Sequence, residues 1–212
     1  MPTANPNYAH ECNANKVKKE EGGLPLSFCF TPEQIAELFR FYVLEAPTAK
    51  GGITAAQKSR SLKQLGWSGK KLNELERKLL RASAMQSIVI LGSSSLAETL
   101  KSMSFTNNLC IEHPRCLLQR PTKLKLQEDG QVKQLKDEVD TNRMQCLFRH
   151  MRNSFAHGNI QIFENRMVLL EDYATGSDSG QTAAILISSQ ALLDWIEIVE
   201  TEGKVANESN AM

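Results

Sequence analysis

Met144-Gln145-Cys146-Leu147-Phe148-Arg149-His150-Met151-Arg152-Asn153-Ser154-Phe155-Ala156-His157-Gly158 sets Met144, Leu147, Phe148, Met151 and Phe155 on one face of a helix that turns about 100° per residue. Gly158 sits where such a helix stops in a left-handed cap. Beyond it the texture changes. Asn159–Glu164 and Met167–Asp172 are short β-favouring runs separated by Asn165-Arg166, which predicts a small hairpin. Ala183–Ile187 can add a third strand after the Gly/Ser/Asp turn at 176–180. Ser188-Ser189-Gln190 then opens a closing helix, with Leu192, Leu193, Ile196 and Val199 on its apolar face.

Upstream, Thr31-Pro32-Glu33-Gln34 has the residue types of a capping box with proline at the first helical position. Ile35, Leu38, Phe39 and Tyr42 continue it as an amphipathic helix that Pro47 ends. A short helix is expected over Ile53–Leu65, then the turn Gly66-Trp67-Ser68-Gly69. A longer helix is expected from Lys70, with Leu72, Leu75, Leu79 and Leu80 on one side, running past Ile88 toward Leu91. Gly92-Ser93-Ser94-Ser95 interrupts it before Leu96–Leu100. Residues 102–133 carry Pro114, Pro121 and Gly130 without a sustained period and read as a functional loop or an insertion. A helical pattern resumes near Val132. The expected fold is mainly α: a helical bundle with a small β-hairpin before the C-terminal helix. The expected organisation is a flexible arm over 1–25, one helical domain over 26–205, and a disordered tail over 206–212. No internal repeat is visible.

The chain has 212 residues, 41% of them hydrophobic and 23% charged, with 25 Lys+Arg against 24 Asp+Glu. That excludes a generally basic coat for nucleic acid and an acidic disordered chain. The sum hides an asymmetry. Residues 50–81 hold nine basic and two acidic side chains, +7, and residues 160–212 hold nine acidic and two basic, −7. A local basic surface can steer a polyanion whatever the net charge; solvated helix faces explain the same count. Cys12, Cys29, Cys110, Cys116 and Cys146 are odd in number and irregular in spacing, which fits a reducing compartment. The N-terminal residues show no apolar signal-peptide core, and Ile88–Leu91 is too short to span a bilayer. The expected location is the cytoplasm.

Chemistry concentrates in Arg149-His150-Met151-Arg152-Asn153-Ser154-Phe155-Ala156-His157. Two residue types here suit metal-independent RNA cleavage. Attack of a ribose 2′-OH on the adjacent phosphate needs a proton carrier that titrates near neutrality, which is histidine. Negative charge gathers on phosphate oxygens in the transition state, and a forked Arg stabilises it. The candidate catalytic residues are Arg152 for phosphate charge, His157 for proton transfer, and Asn153 for positioning; Arg149 and His150 are candidate RNA contacts. His157 lies five positions after Arg152, about 140° around an ideal helix. The two side chains therefore converge only if His157 leaves the helix at the Gly158 turn or a second subunit supplies the partner.

The string Arg152-Asn153-Ser154-Phe155-Ala156-His157-Gly158 strongly resembles the signature of the HEPN superfamily (higher eukaryotes and prokaryotes nucleotide-binding): Arg-x(4–6)-His with a polar residue straight after the Arg. Arg152, Asn153 and His157 match its three positions. The resemblance implies a HEPN-type helical bundle with its motif late in the penultimate long helix. It also implies a homodimer whose two motifs face each other across a cleft and cut RNA without metal or cofactor. A toxin or abortive-infection role follows, with an antitoxin or regulatory protein as a further partner. Some toxin members carry a tyrosine two residues after the histidine; here that position is Asn159. Other members bind RNA or nucleotide without cutting, which is the alternative reading.

Three weaker signals complete the chain. Cys110-x2-His113-x2-Cys116 has metal-like types but matches no familiar zinc spacing, so no metal site is assigned. Residues 53–81 also read as a helix-turn-helix with basic excess on the second helix, the pattern of a DNA-binding regulator. A helical module that binds a partner through 102–133 is the remaining class.

Overall fold

The computed structural model describes residues 16–17, 23–48, 60–91, 109–110, 114–119, 122–126, 132–136, 143–173 and 180–203. Among them are helices α1 (Pro32–Phe39), α2 (Lys71–Ala82), α3 (Arg143–Ala156) and α4 (Ser189–Glu197). π-helical turns at Arg40–Leu44 and Ile198–Glu202 extend α1 and α4. The strands are β1 (Lys16–Val17), β2 (Ile88–Leu91), β3 (Leu109–Cys110), β4 (Arg115–Gln119), β5 (Thr122–Leu126), β6 (Val132–Lys136), β7 (Ile160–Ile162), β8 (Met167–Tyr173) and β9 (Gln181–Ser188).

Five strands form one mixed sheet in the order β2-β4-β9-β8-β7. Only β2 and β4 run parallel; the remaining neighbours are antiparallel. The fold is therefore mixed α/β, and the expectation of a mainly α helical bundle is corrected. The expected hairpin is real as β7–β8, but it is the edge of a larger sheet. β9 lies at its centre, with Ala183, Ala184, Ile185, Leu186 and Ile187 all buried, so both faces of that strand are covered. β1 pairs with β3, and β5 with β6, as separate two-stranded ribbons.

The helix expected to run from Lys70 to Leu91 instead stops at Ala82. Ala84 adopts φ 52°, Met85 N–H donates to Leu80 O at 2.9 Å and Ala84 N–H to Arg81 O at 3.2 Å, which together are a Schellman cap. Ile88–Leu91 then becomes a strand. A run of four apolar residues has no length with which to declare a period. The same ambiguity hid β4 inside the presumed loop over 102–133 and turned the pattern resuming at Val132 into β6. Residues 53–59 and 92–100, where further helix was expected, lie outside the described residues, as does the tail over 206–212. Of the arm over 1–25, residues 16–17 and 23–25 are described, and Leu24 packs on the core.

The ends that position the site follow local chemistry. Thr31 accepts from Gln34 N–H at 3.3 Å while Gln34 accepts from Thr31 N–H at 2.9 Å, the predicted capping box. Ser188 caps α4 through Ala191 N–H at 3.2 Å. α3 packs on β8 and on the Arg40–Leu44 turns. Its stripe of Met144, Leu147, Phe148, Met151 and Phe155 is buried, and so is a second ridge at Cys146, His150 and Ser154. Tyr42 stacks on Phe155 with ring centres 5.0 Å apart and donates its hydroxyl to Leu192 O at 2.8 Å. Trp67 and Trp195 donate to Val199 O and Leu79 O at 2.9 and 3.0 Å, so the polar tips inside this core are satisfied. No helix among the described residues is long and apolar enough to cross a membrane.

Candidate functional site

Arg152 and Asn153 lie half-buried in the last turn of α3. His157 lies just beyond, on the turn that ends the helix, and is exposed. Gly158 takes φ 68°, and Asn159 N–H donates to Ser154 O at 2.9 Å and Gly158 N–H to Phe155 O at 3.3 Å. This second Schellman cap is the left-handed stop that Gly158 predicts. His157 makes no side-chain hydrogen bond to any described residue, so its ring is presented outward.

Five side chains of α3 and β8 are tied together. Arg152 donates Nη1–H to Asn153 Oδ1 at 3.2 Å. Asn153 donates Nδ2–H to Asp172 Oδ2 at 3.1 Å. The same carboxylate oxygen lies 2.7 Å from His150 Nδ1 and 4.0 Å from Arg149 Nη1. Arg149 Nη2 lies 2.9 Å from His150 Nε2. The structure thus joins Arg149, His150, Arg152 and Asn153 through Asp172, and leaves His157 apart from them.

His150 differs from its reading in the sequence. The sequence makes it a candidate RNA contact, but it has 0% relative exposure and faces β8, because α3 is covered along two ridges rather than one. Asp172 was missed as a site residue. It shares a phase of β8 with Val168 and Leu170, and all three are buried. An acid on the buried phase of a strand is the signal that marks it, since a buried charge requires partners. Burial pulls the Asp172 carboxyl upward, but hydrogen bonding and attraction from His150, the Asn153 amide and the Arg149 charge outweigh it. The net effect holds Asp172 below the usual carboxylate range and keeps it ionised.

Elsewhere the weaker signals resolve differently. Residues 62–65 form turns rather than a helix before Gly66, and residues 53–59 lie outside the described part, so the helix-turn-helix reading lacks its first helix among the described residues. Cys116 is buried in β4, His113 lies outside the described residues, and no group of three His, Cys, Asp or Glu that could hold a metal occurs among those described.

Comparison with protein families gives a match to HEPN pEK499 p136 over residues 62–199. No match is found among curated proteins or among solved structures. The matched span runs from the turn before α2 to the end of α4 and contains the whole Arg152–His157 segment. The chain belongs to the HEPN pEK499 p136 family.

Proposed function

We propose that the chain is a metal-independent endoribonuclease acting as a homodimer in a cytoplasmic toxin or phage-defence role. The observation that carries this reading is the Arg152–Asn153 pair held in the last turn of α3, with His157 exposed on the capping turn directly after it. Arg152 takes the non-bridging phosphate oxygens and the charge that grows on them. His157 moves protons: one imidazole removes the 2′-OH proton as that oxygen attacks phosphorus, and an imidazolium protonates the departing 5′-oxygen. The products are a 2′,3′-cyclic phosphate and a 5′-hydroxyl. Two copies of the motif across a two-fold axis supply the base and the acid from separate subunits, which relieves the angular separation of Arg152 and His157 within one helix.

Purified wild type and His157→Ala, incubated with total RNA in EDTA, test the reading. Wild type is expected to cut and the variant not to. Intact RNA with both proteins at high concentration refutes it and leaves the non-catalytic alternative, RNA or nucleotide binding by the same surface. Arg152→Ala is expected to lose cleavage as His157→Ala does, with the far-UV spectrum and elution volume unchanged.

A further inference from the structure

The strand residue Asp172 sits where packing alone calls for an apolar side chain. Val168 and Leu170, the preceding residues on its phase of β8, are fully buried. Position 172 instead holds a carboxylate facing three donors. Oδ2 receives His150 Nδ1 at 2.7 Å and Asn153 Nδ2 at 3.1 Å, and Oδ1 receives the backbone N–H of Tyr173 at 3.0 Å.

We propose that Asp172, together with His150, is a positioning residue for the phosphate-facing pair. It fixes the Asn153 amide and, through the amide carbonyl, the guanidinium of Arg152. The proposal rests on the nuclease reading above.

Donor and acceptor chemistry enforces the direction of this relay. Arg149 has only donors, so its approach to His150 Nε2 at 2.9 Å requires that nitrogen to accept. The proton then belongs on Nδ1, where it points at Asp172. With Asp172 ionised and accepting, Asn153 must present Nδ2–H to it. The amide cannot flip without setting its carbonyl against the carboxylate, so Oδ1 is left facing Arg152 Nη1. A guanidinium held through a half-buried amide reaches the phosphate with its fork already oriented, and preorganised charge of that kind acts on the transition state rather than on binding. Carboxylate is the only side chain at 172 that satisfies all three donors. In Asp172→Asn the amide offers one oxygen and one NH2. Either orientation sets that NH2 against a donor: Tyr173 N–H in one, His150 and Asn153 in the other.

Kinetics on the full chain with a short RNA substrate test the relay. Asp172→Asn is expected to lower kcat about tenfold or more while KM changes less than about threefold. A double-mutant cycle separates positioning from general damage. In an Asn153→Ala background, Asp172→Asn should cost almost nothing further, because its route to Arg152 is already cut. Unchanged kcat in Asp172→Asn, or losses that multiply in the double variant, overturns the proposal. If Asp172→Asn fails to fold, nitrogen-15 NMR on wild type decides. An Nδ1–H tautomer at His150 and a slowly exchanging Asn153 side-chain amide support the relay; an Nε2–H tautomer or a freely exchanging amide overturns it. If wild type cuts no RNA, the nuclease reading fails by itself, and those two NMR signals still decide whether the relay exists.

Discussion

At the scale of single residues, the ionisation of Asp172 links the site to stability. Its folded-state value lies below the ordinary one. The linked stabilisation is therefore complete above the unfolded-state value, about 3.9, and is lost as pH falls through the lower, folded value. Wild type should be more stable than Asp172→Asn near neutrality, and the gap should close below about pH 4. Urea midpoints at pH 6 and pH 3 check this, and a gap that stays constant would show that the carboxylate is not held ionised by His150, Asn153 and Arg149. Residues are also where the sequence was both most and least legible. Arg152, Asn153 and His157 declare themselves by type and spacing along one helix. Asp172 does not, because its partners lie 19 and 22 positions away and only β8 brings them together. His150 was misplaced for the related reason that one apolar stripe was visible in α3 while its second buried ridge, Cys146-His150-Ser154, contains polar types.

At the scale of elements, legibility followed caps and length. α1, α4 and the β7–β8 hairpin announce themselves through Thr31, Ser188 and Asn165-Arg166, residues whose side chains or backbone preferences act locally. The end of α2 carries no such mark. Its left-handed position is filled by Ala84 at φ 52°, where glycine is the usual occupant, so the sequence runs on into Ile88–Leu91 as if the helix continued. This has a direct consequence. The left-handed conformation costs a non-glycine residue about 1–2 kcal/mol, and the extra freedom of glycine in the unfolded chain returns about 0.4–1 kcal/mol of that. Ala84→Gly should thus stabilise the protein by about 0.5–1 kcal/mol, seen as a higher urea midpoint at unchanged slope. A lower midpoint would mean that the methyl of Ala84 contributes packing that outweighs its strain. β9 was legible as the strand expected over Ala183–Ile187, whereas β4 was obscured differently. Strands covered on both faces lose the alternation that identifies a half-buried strand, and Cys116-Leu117-Leu118 is a short apolar run between prolines.

At the scale of the molecule, the basic and acidic segments meet, among the described residues, at two ion pairs. Arg60 of the +7 stretch pairs with Glu200 of the −7 stretch, joined there by Arg40 and Glu45, and Lys78 pairs with Glu202. These contacts dock the C-terminal π turn beside the turn before α2, where Gly203 lies so close to Leu65 O that a side chain would not fit. Two of the nine basic side chains of that stretch, Arg60 and Lys78, are thereby answered by its acidic counterpart, and the case for RNA rests on the end of α3. An exposed His157 outside the network that holds Arg152 makes the number of subunits in the working site a decidable question. Arg152→Ala and His157→Ala should each be inactive alone. Mixed and allowed to exchange subunits, the two variants give about half heterodimers, each with one intact Arg152 and one intact His157 on opposite sides of the axis. If one Arg152 and the single His157 of the other copy suffice, mixing restores a fraction of RNA cleavage that grows with exchange time. The mechanism proposed above, in which the two imidazoles act as base and acid, needs both copies of His157 and is expected to leave the mixture inactive. A site complete within one chain stays dead in every species, because no subunit then carries both residues. Restoration therefore assigns the cleft to two chains, whereas continued inactivity in a mixture shown by native mass spectrometry to contain heterodimers confines it to one chain or requires both copies of each residue.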